Sequence, residues 1–278
     1  MADVQTCTLL SEEEKLDALD PLRHLRAAAD DTEDVSDIVP AQRPSILNQT
    51  VELAFSTVST SADRIENNHV PEERGSEDRV VIKLMVDASP GCGGVAWPAG
   101  EVLSRYIARR GLSSMKRKTV LELGSGTGLV GLVAGKLGGD VWITDQAPLL
   151  DIMRRNVIMN DLSERVRVAE LDWGTPIPFF SDFPRHPDVI LAADCVYFEP
   201  AFPLLVQTLA ELVPVPSLSV TDAQPEVLFC YKKRRKADKR FFALLKKEFS
   251  WTEVADDPDH EVYTREAISL LRLIRRSR

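Results

Sequence analysis

The apolar positions of this chain change their spacing twice. Residues 1–44 mix small, acidic and proline-punctuated stretches such as AAADDTEDVSDIVPAQRP, with too few large apolar side chains to build a core, and are expected to form a mobile acidic tail. Within them LSEEEKLDALDPLRHL carries the spacing of a short amphipathic helix, although its composition equally suits a solvated segment. Residues 45–90 read as a β-extension. ILNQTVELAFSTV, from Ile46 to Val58, and RVVIKLMV, from Arg79 to Val86, alternate loosely between apolar and polar positions, and the polar stretch 59–78 between them reads as an exposed loop.

From residue 91 to 278 strand and helix patterns alternate. WPAGEVLSRYIARRG places Val102, Leu103, Tyr106 and Ile107 on one helical face and ends at Gly111. TVLEL, DVWITD, RVRVAELDW, DVILAADCVY and EVLFCY read as strands, with LVGLVAGKLG, PLLDIMRRNVIMNDL and PAFPLLVQTLAELV as the helices between them. KADKRFFALLKKEF follows as a helix, and WTEV and AISLLRLIRR as closing strands. The pattern predicts an α/β fold, a doubly wound and mostly parallel sheet covered by helices, with the β-extension at its front.

Composition narrows the class. At 44% hydrophobic and 28% charged residues the 278-residue chain is neither collagen-like nor wholly disordered. No stretch approaches the roughly 20 apolar residues of a bilayer span, and the first residues lack a secretory pattern, so an intracellular, cytoplasmic protein without a membrane partner is expected. Cys7, Cys92, Cys195 and Cys230 are scattered and lack zinc spacing, so they read as reduced thiols and no metal site is expected. The net charge is −9, but residues 1–80 hold 18 acidic against 7 basic side chains, a net −11, and the rest of the chain is at +2. The acidity therefore belongs to the front and not to the sheet domain.

The sharpest local signal is Glu122-Leu-Gly124-Ser-Gly126-Thr-Gly128, where a strand runs into a helix. Glycines allow a tight turn whose backbone N–H groups can touch a nucleotide-like ligand at a helix N-terminus. Gly126-x-Gly128-x-x-Gly131 also fits dinucleotide spacing, but the strand ends at Leu123, which makes Gly124 the first functional glycine. Asp145 ends the next strand, 21 residues beyond Gly124, where a carboxylate can accept from both ribose hydroxyls of an adenosine. Asp172 and Trp173 close the third strand, and the indole there can cover an adenine face. Asp194-Cys195-Val196-Tyr197 ends the fourth strand, beside the switch point at which open α/β sheets bind ligands. An Asp there is expensive to bury unpaired, or it caps the following helix.

The segments GGVAWPAG, VLELGSGTG, VWITD, LDWG and LAADCVY together resemble the family 16 seven-stranded S-adenosylmethionine-dependent protein-lysine methyltransferases over about residues 46–278. FCYKKRRKADKRFF is similar to the fungal elongation factor 1-alpha lysine methyltransferases. The resemblance implies a seven-stranded Rossmann-like methyltransferase fold over 91–278, with S-adenosyl-L-methionine as donor and S-adenosyl-L-homocysteine as product. It implies that Trp97 walls the cofactor site, that Glu122 and Gly124-Ser125-Gly126 seat the methionine portion, and that Asp145 binds the ribose. Trp173 would flank adenine, Asp172 would be a further cofactor-binding residue, and Ala193 would lie against the cofactor. Asp194 would hold and orient the incoming lysine, with Tyr197 as a hydroxyl contact and aromatic wall. A protein substrate, elongation factor 1-alpha, and a monomeric enzyme are the expectations, with nucleic acid a second choice.

The basic run Lys232 to Arg240 reads either as a rim attracting an acidic protein surface or RNA, or as a solvated helix start. An RNA methyltransferase, an NAD-dependent oxidoreductase and a non-catalytic nucleotide-binding module remain open on the residues alone.

Overall fold

The strands of the computed structural model form two separate sheets. It describes residues 47–57, 79–88, 92–178, 182–215, 224–234 and 238–277. The acidic leader, the loop 59–78 and positions 235–237 of the basic run lie outside the described residues.

The front of the chain forms an antiparallel ribbon of β1 (Gln49–Ser56) and β2 (Arg79–Val86), in register from Gln49 opposite Val86 to Ser56 opposite Arg79. β2 alternates cleanly: Val80, Ile82, Leu84 and Val86 are buried while Arg79, Val81 and Lys83 face out. The ribbon makes no ladder with the main sheet. Its polar backbone is met instead by helix α3 (Leu150–Met159) and the residue that follows it. Asn156 Oδ1 accepts the Met85 N–H at 2.7 Å and its Nδ2 donates to Met85 O, while Asn160 serves Lys83 in the same way, at 2.9 and 2.7 Å. Two asparagines four apart stand on one helix face, matching alternate residues of a strand edge. Buried amide groups that complete a strand in this way avoid the cost of orphaned backbone donors.

The main sheet holds seven strands in the order β5-β4-β3-β6-β7-β9-β8. β3 (Thr119–Leu123), β4 (Asp140–Asp145), β5 (Val166–Glu170), β6 (Val189–Ala193) and β7 (Glu226–Lys232) are parallel. β8 (Phe249–Glu253) and β9 (Ile268–Arg275) complete it, with β9 antiparallel to both of its neighbours. The period-2 alternation of buried strands divides the core. Val120, Val141, Val189, Leu191 and Leu228 pack under α1 (Pro98–Arg109), α2 (Leu129–Lys136), α3 and the ribbon. Leu121, Leu123, Trp142, Ile190 and Phe229 pack under α4 (Phe202–Leu212) and α5 (Asp238–Glu248). Both faces are covered, as the near-continuous apolar runs predict.

Two elements differ from the sequence reading. DVILAADCVY is a strand only as far as Ala193, because Asp194 takes φ +57° and turns the chain out of the sheet. The short helix α6 (His260–Arg265) was not anticipated: the polar stretch HEVYTR buries only Tyr263 and carries almost no periodicity.

Candidate active site

The carboxyl ends of β3, β4, β5, β6 and β7 converge on one edge of the sheet, and the segment before α1 crosses over it. The glycine turn lies at its centre. Gly124, Gly126 and Gly128 all have left-handed φ, at +60°, +55° and +83°. At Gly126 a side chain is excluded twice over, since a Cβ would lie 2.6 Å from the Gly93 carbonyl oxygen as well as requiring that backbone. Ser125 stitches the turn to β4: its N–H donates to Thr144 O at 2.9 Å, and its Oγ accepts the Thr144 N–H at 2.9 Å.

Asp145 faces the turn. Its Oδ2 accepts the Gly126 N–H at 2.7 Å and its Oδ1 the Gln146 N–H at 2.8 Å. Each oxygen keeps acceptor capacity for a hydroxyl. Burial pushes this carboxyl up to about 6; the two N–H donors pull it back and the charge of Asp172 pushes it further up. Trp173 is half-buried with its indole across Gly124, where a Cβ would meet the ring at 2.8 Å and the Cys195 thiol at 3.0 Å. Asp172 precedes it, and its carbonyl accepts from the Thr175 hydroxyl at 2.7 Å, fixing the turn after β5.

Glu122 requires a correction. It lies beneath the turn, on the α2 face, only 2% exposed, and its Oε2 accepts the Gly131 N–H at 2.9 Å. Burial pushes its carboxyl up to about 8, and it props the turn from below instead of lining the cleft. The reason is the strand alternation itself, which directs every second side chain of β3 away from the second face.

On the opposite side of the turn the cleft is built from three distant segments. Trp97, the residue before α1, donates its indole N–H to Cys92 O at 2.8 Å and presents its ring to the guanidinium of Arg234, 5.3 Å from the centroid. Arg234 meets Asp194 in a two-pronged ion pair, Nη1 to Oδ1 and Nη2 to Oδ2, both at 2.7 Å. Asp194 Oδ1 also accepts the Lys232 N–H at 3.1 Å, and the Asp194 N–H donates to Cys230 O at 2.8 Å. The Arg234 N–H in turn donates to Asp238 Oδ2 at 2.9 Å. The two paired side chains are 5% and 4% exposed.

This changes the part expected of Asp194. It stands at the end of β6 beside Ala193 and the half-buried Tyr197, as predicted, but its carboxylate is turned to β7 and filled by a guanidinium. An ammonium could take that place only by breaking a buried, bidentate pair, which costs about 3–5 kcal/mol. The pair also holds a non-glycine residue in left-handed backbone, a conformation that persists where its surroundings over-determine it. Arg234 was not singled out in the sequence because it sits inside a basic run that reads as surface. The available signal was the expense of burying Asp194 without a cation, with β7 as the neighbouring strand.

Cys195 and Cys230 are buried, and burial pushes both thiols well up, so neither is a nucleophile.

The profile of the lysine methyltransferase family matches residues 76–248. The chain belongs to this family. It is a protein-lysine N-methyltransferase, and the oxidoreductase and binding-module readings fall away. Protein-lysine N-methyltransferase EFM6 of Saccharomyces cerevisiae is 40% identical over 220 residues, covering 70% of this chain and 86% of that protein. Protein N-lysine methyltransferase METTL21A of Danio rerio is 36% identical over 181 residues, covering 64% and 78%. EEF1A lysine methyltransferase 3 of Mus musculus is 42% identical over 117 residues, covering 42% of this chain and 49% of its own. Among solved structures, a T. thermophilus 16S rRNA N2 methyltransferase superimposes with a TM-score of 0.47 at 15% identity, over 81% of this chain and 51% of that one, a distant likeness.

Proposed function

We propose that this methyltransferase uses S-adenosyl-L-methionine to methylate a lysine of translation elongation factor 1-alpha in the cytoplasm, releasing S-adenosyl-L-homocysteine. The substrate assignment rests chiefly on the 42% identity to a relative named for lysine methylation of EEF1A. FCYKKRRKADKRFF adds to it, since this segment supplies both the end of β7 and the start of α5 at the cleft.

The residues present fit the donor. The glycine turn takes left-handed backbone at Gly124, Gly126 and Gly128 beside Asp145, which has an acceptor on each oxygen for the ribose hydroxyls. Trp173 across Gly124 offers an aromatic face, with Asp172 beside it, and Trp97 and Ala193 would wall the methionine portion. When bound, the donor supplies a methyl group already activated on a sulfonium. The chain's own work is therefore alignment, worth many orders of magnitude when reacting atoms are held about 3–3.5 Å apart and in line.

The lysine nitrogen must arrive with a lone pair, although a free lysine has a pKa near 10.4. That lone pair would take the methyl group, the S–C electron pair staying with the departing sulfur, and the extra proton of the methylated amine would pass to water. Tyr197, half-buried on the turn after Asp194, would wall the incoming side chain with its ring.

The decisive experiment incubates the purified chain with radioactive donor and purified elongation factor 1-alpha, then locates the label by mass spectrometry. Label on one lysine of that protein is expected. Label confined to another protein, or lost on nuclease treatment of an extract, overturns the substrate assignment.

A further inference from the structure

A lone carboxylate at the end of β6 would be a poor neighbour for the proposed reaction, on which this inference rests. An opposite charge within a few ångströms favours the ammonium form of a lysine, which has no lone pair to attack with. In this protein the carboxylate is not alone. Both Asp194 oxygens are taken by Arg234, Oδ1 also by the Lys232 N–H, and the guanidinium lies under the Trp97 ring. Its Nε–H is buried with no hydrogen-bond partner among the described residues, while its two Nη atoms meet Asp194 and its plane the indole.

We propose that Arg234 is a charge-compensating positioning residue: by neutralising Asp194 and turning its carboxylate to β7, it lets the target lysine enter the cleft as the neutral amine, with the proton lost to water and not to Asp194. A carboxylate whose oxygens are already filled by a fixed fork has little field left to hold an ammonium.

The surrounding groups leave this pair as the local charge control. From β7 and α5, Lys232 contributes its backbone N–H, and Asp238 is engaged with the Arg234 backbone. Cys195 on the Asp194 turn and Cys230 below it are thiols that burial keeps protonated. Across the turn burial pushes the Glu122 carboxyl up, and Asp145 accepts the Gly126 and Gln146 N–H groups. On the outer side Glu199 is paired with Arg240.

The test measures kcat/KM for methyl transfer to the protein substrate over roughly pH 6 to 10, for the full chain, Arg234→Met, Arg234→Lys, and Arg234→Met combined with Asp194→Asn. Donor affinity by calorimetry and thermal midpoints accompany each variant. In Arg234→Met the unmasked carboxylate should hold the lysine as ammonium. Transfer at pH 7 is then expected to fall by about tenfold and to recover as pH rises, the profile moving about one unit alkaline. The added Asp194→Asn should bring the profile back, since the amide oxygen can still accept the Lys232 N–H without carrying charge. Donor affinity should move by less than the transfer rate.

A uniform loss at every pH, or a double variant that keeps the alkaline shift, overturns the proposal in favour of a merely structural pair. If Arg234→Met does not fold, Arg234→Lys carries the comparison: a single-point ammonium compensates less completely, so a smaller alkaline shift is expected and an unchanged profile refutes the proposal. Failure of the parent reading looks different, because the unaltered chain would then label no protein lysine at any pH.

Discussion

β7 is pinned at both ends by an arginine and a carboxylate, and the two pins do different things. At its start Glu226 meets Arg110 at the end of α1 through two contacts of 3.0 Å, with Arg272 of β9 adding a third at 3.3 Å. Just past its other end Arg234 meets Asp194 through two contacts of 2.7 Å. The first pair is 28% and 21% exposed, the second 5% and 4%. Identical chemistry thus becomes a solvent-screened strut at one edge of the sheet and a buried charge control at the other. Burial decides which: water shares the field of Glu226, whereas the buried field of Asp194 is answered by the Arg234 guanidinium.

The strongest way to break this contrast is Asp194→Ala, which orphans a buried guanidinium. A loss of about 3–5 kcal/mol is expected, seen in thermal denaturation as a fall on the order of 10 °C for a chain of this size. Transfer should drop on the order of 100-fold as the turn after β6 loses its anchor, while calorimetry shows donor affinity largely kept. A stable and active Asp194→Ala would mean the two pins are alike.

Gly126→Val attacks the same edge through the backbone. A left-handed φ costs a β-branched residue about 1–2 kcal/mol or more, and its Cβ would crowd Gly93 O. Donor binding is expected to weaken by at least about tenfold, read by calorimetry.

Asp145 gives the cleft edge a pH signature. Burial raises it to about 6, so the folded chain takes up this proton at a higher pH than the unfolded chain does. Folding therefore gains from this group as pH falls from about 6 toward 4. Donor binding requires the carboxylate and should weaken over the same interval, by up to tenfold per unit. Opposite slopes in thermal midpoint and donor affinity are expected; parallel slopes would separate Asp145 from the ribose.

The smallest effect sharpens the contrast from the far edge. Glu226→Gln should cost about 1 kcal/mol or less, still less at high salt, and leave transfer rate and pH profile as they were.

Much of the donor side of the cleft was legible in the sequence because it is local. A strand, a glycine turn and a helix are contiguous, and β4 ends on Asp145 while Asp172 follows β5, so Gly124, Gly126, Asp145 and Asp172 come to one edge as soon as the sheet forms. The alternation that buries β3 on both faces was legible too, although its consequence for Glu122 was missed: an even-numbered β3 side chain goes to α2. Asn156 and Asn160, which serve the ribbon's backbone, carry no sequence signal apart from their spacing.

What the chain determined by itself was its order of elements and the glycine turn after β3, since dihedral preference and hydrophobic period act over a few residues. What only the tertiary structure decided was the charge state of the opposite wall. Asp194, Arg234 and Trp97 are separated by tens of residues, and their pairing exists only once β6 and β7 lie side by side with α1 folded back across them. A long-range ion pair leaves no periodicity in the chain; it appears where burial makes every other arrangement of those charges more costly.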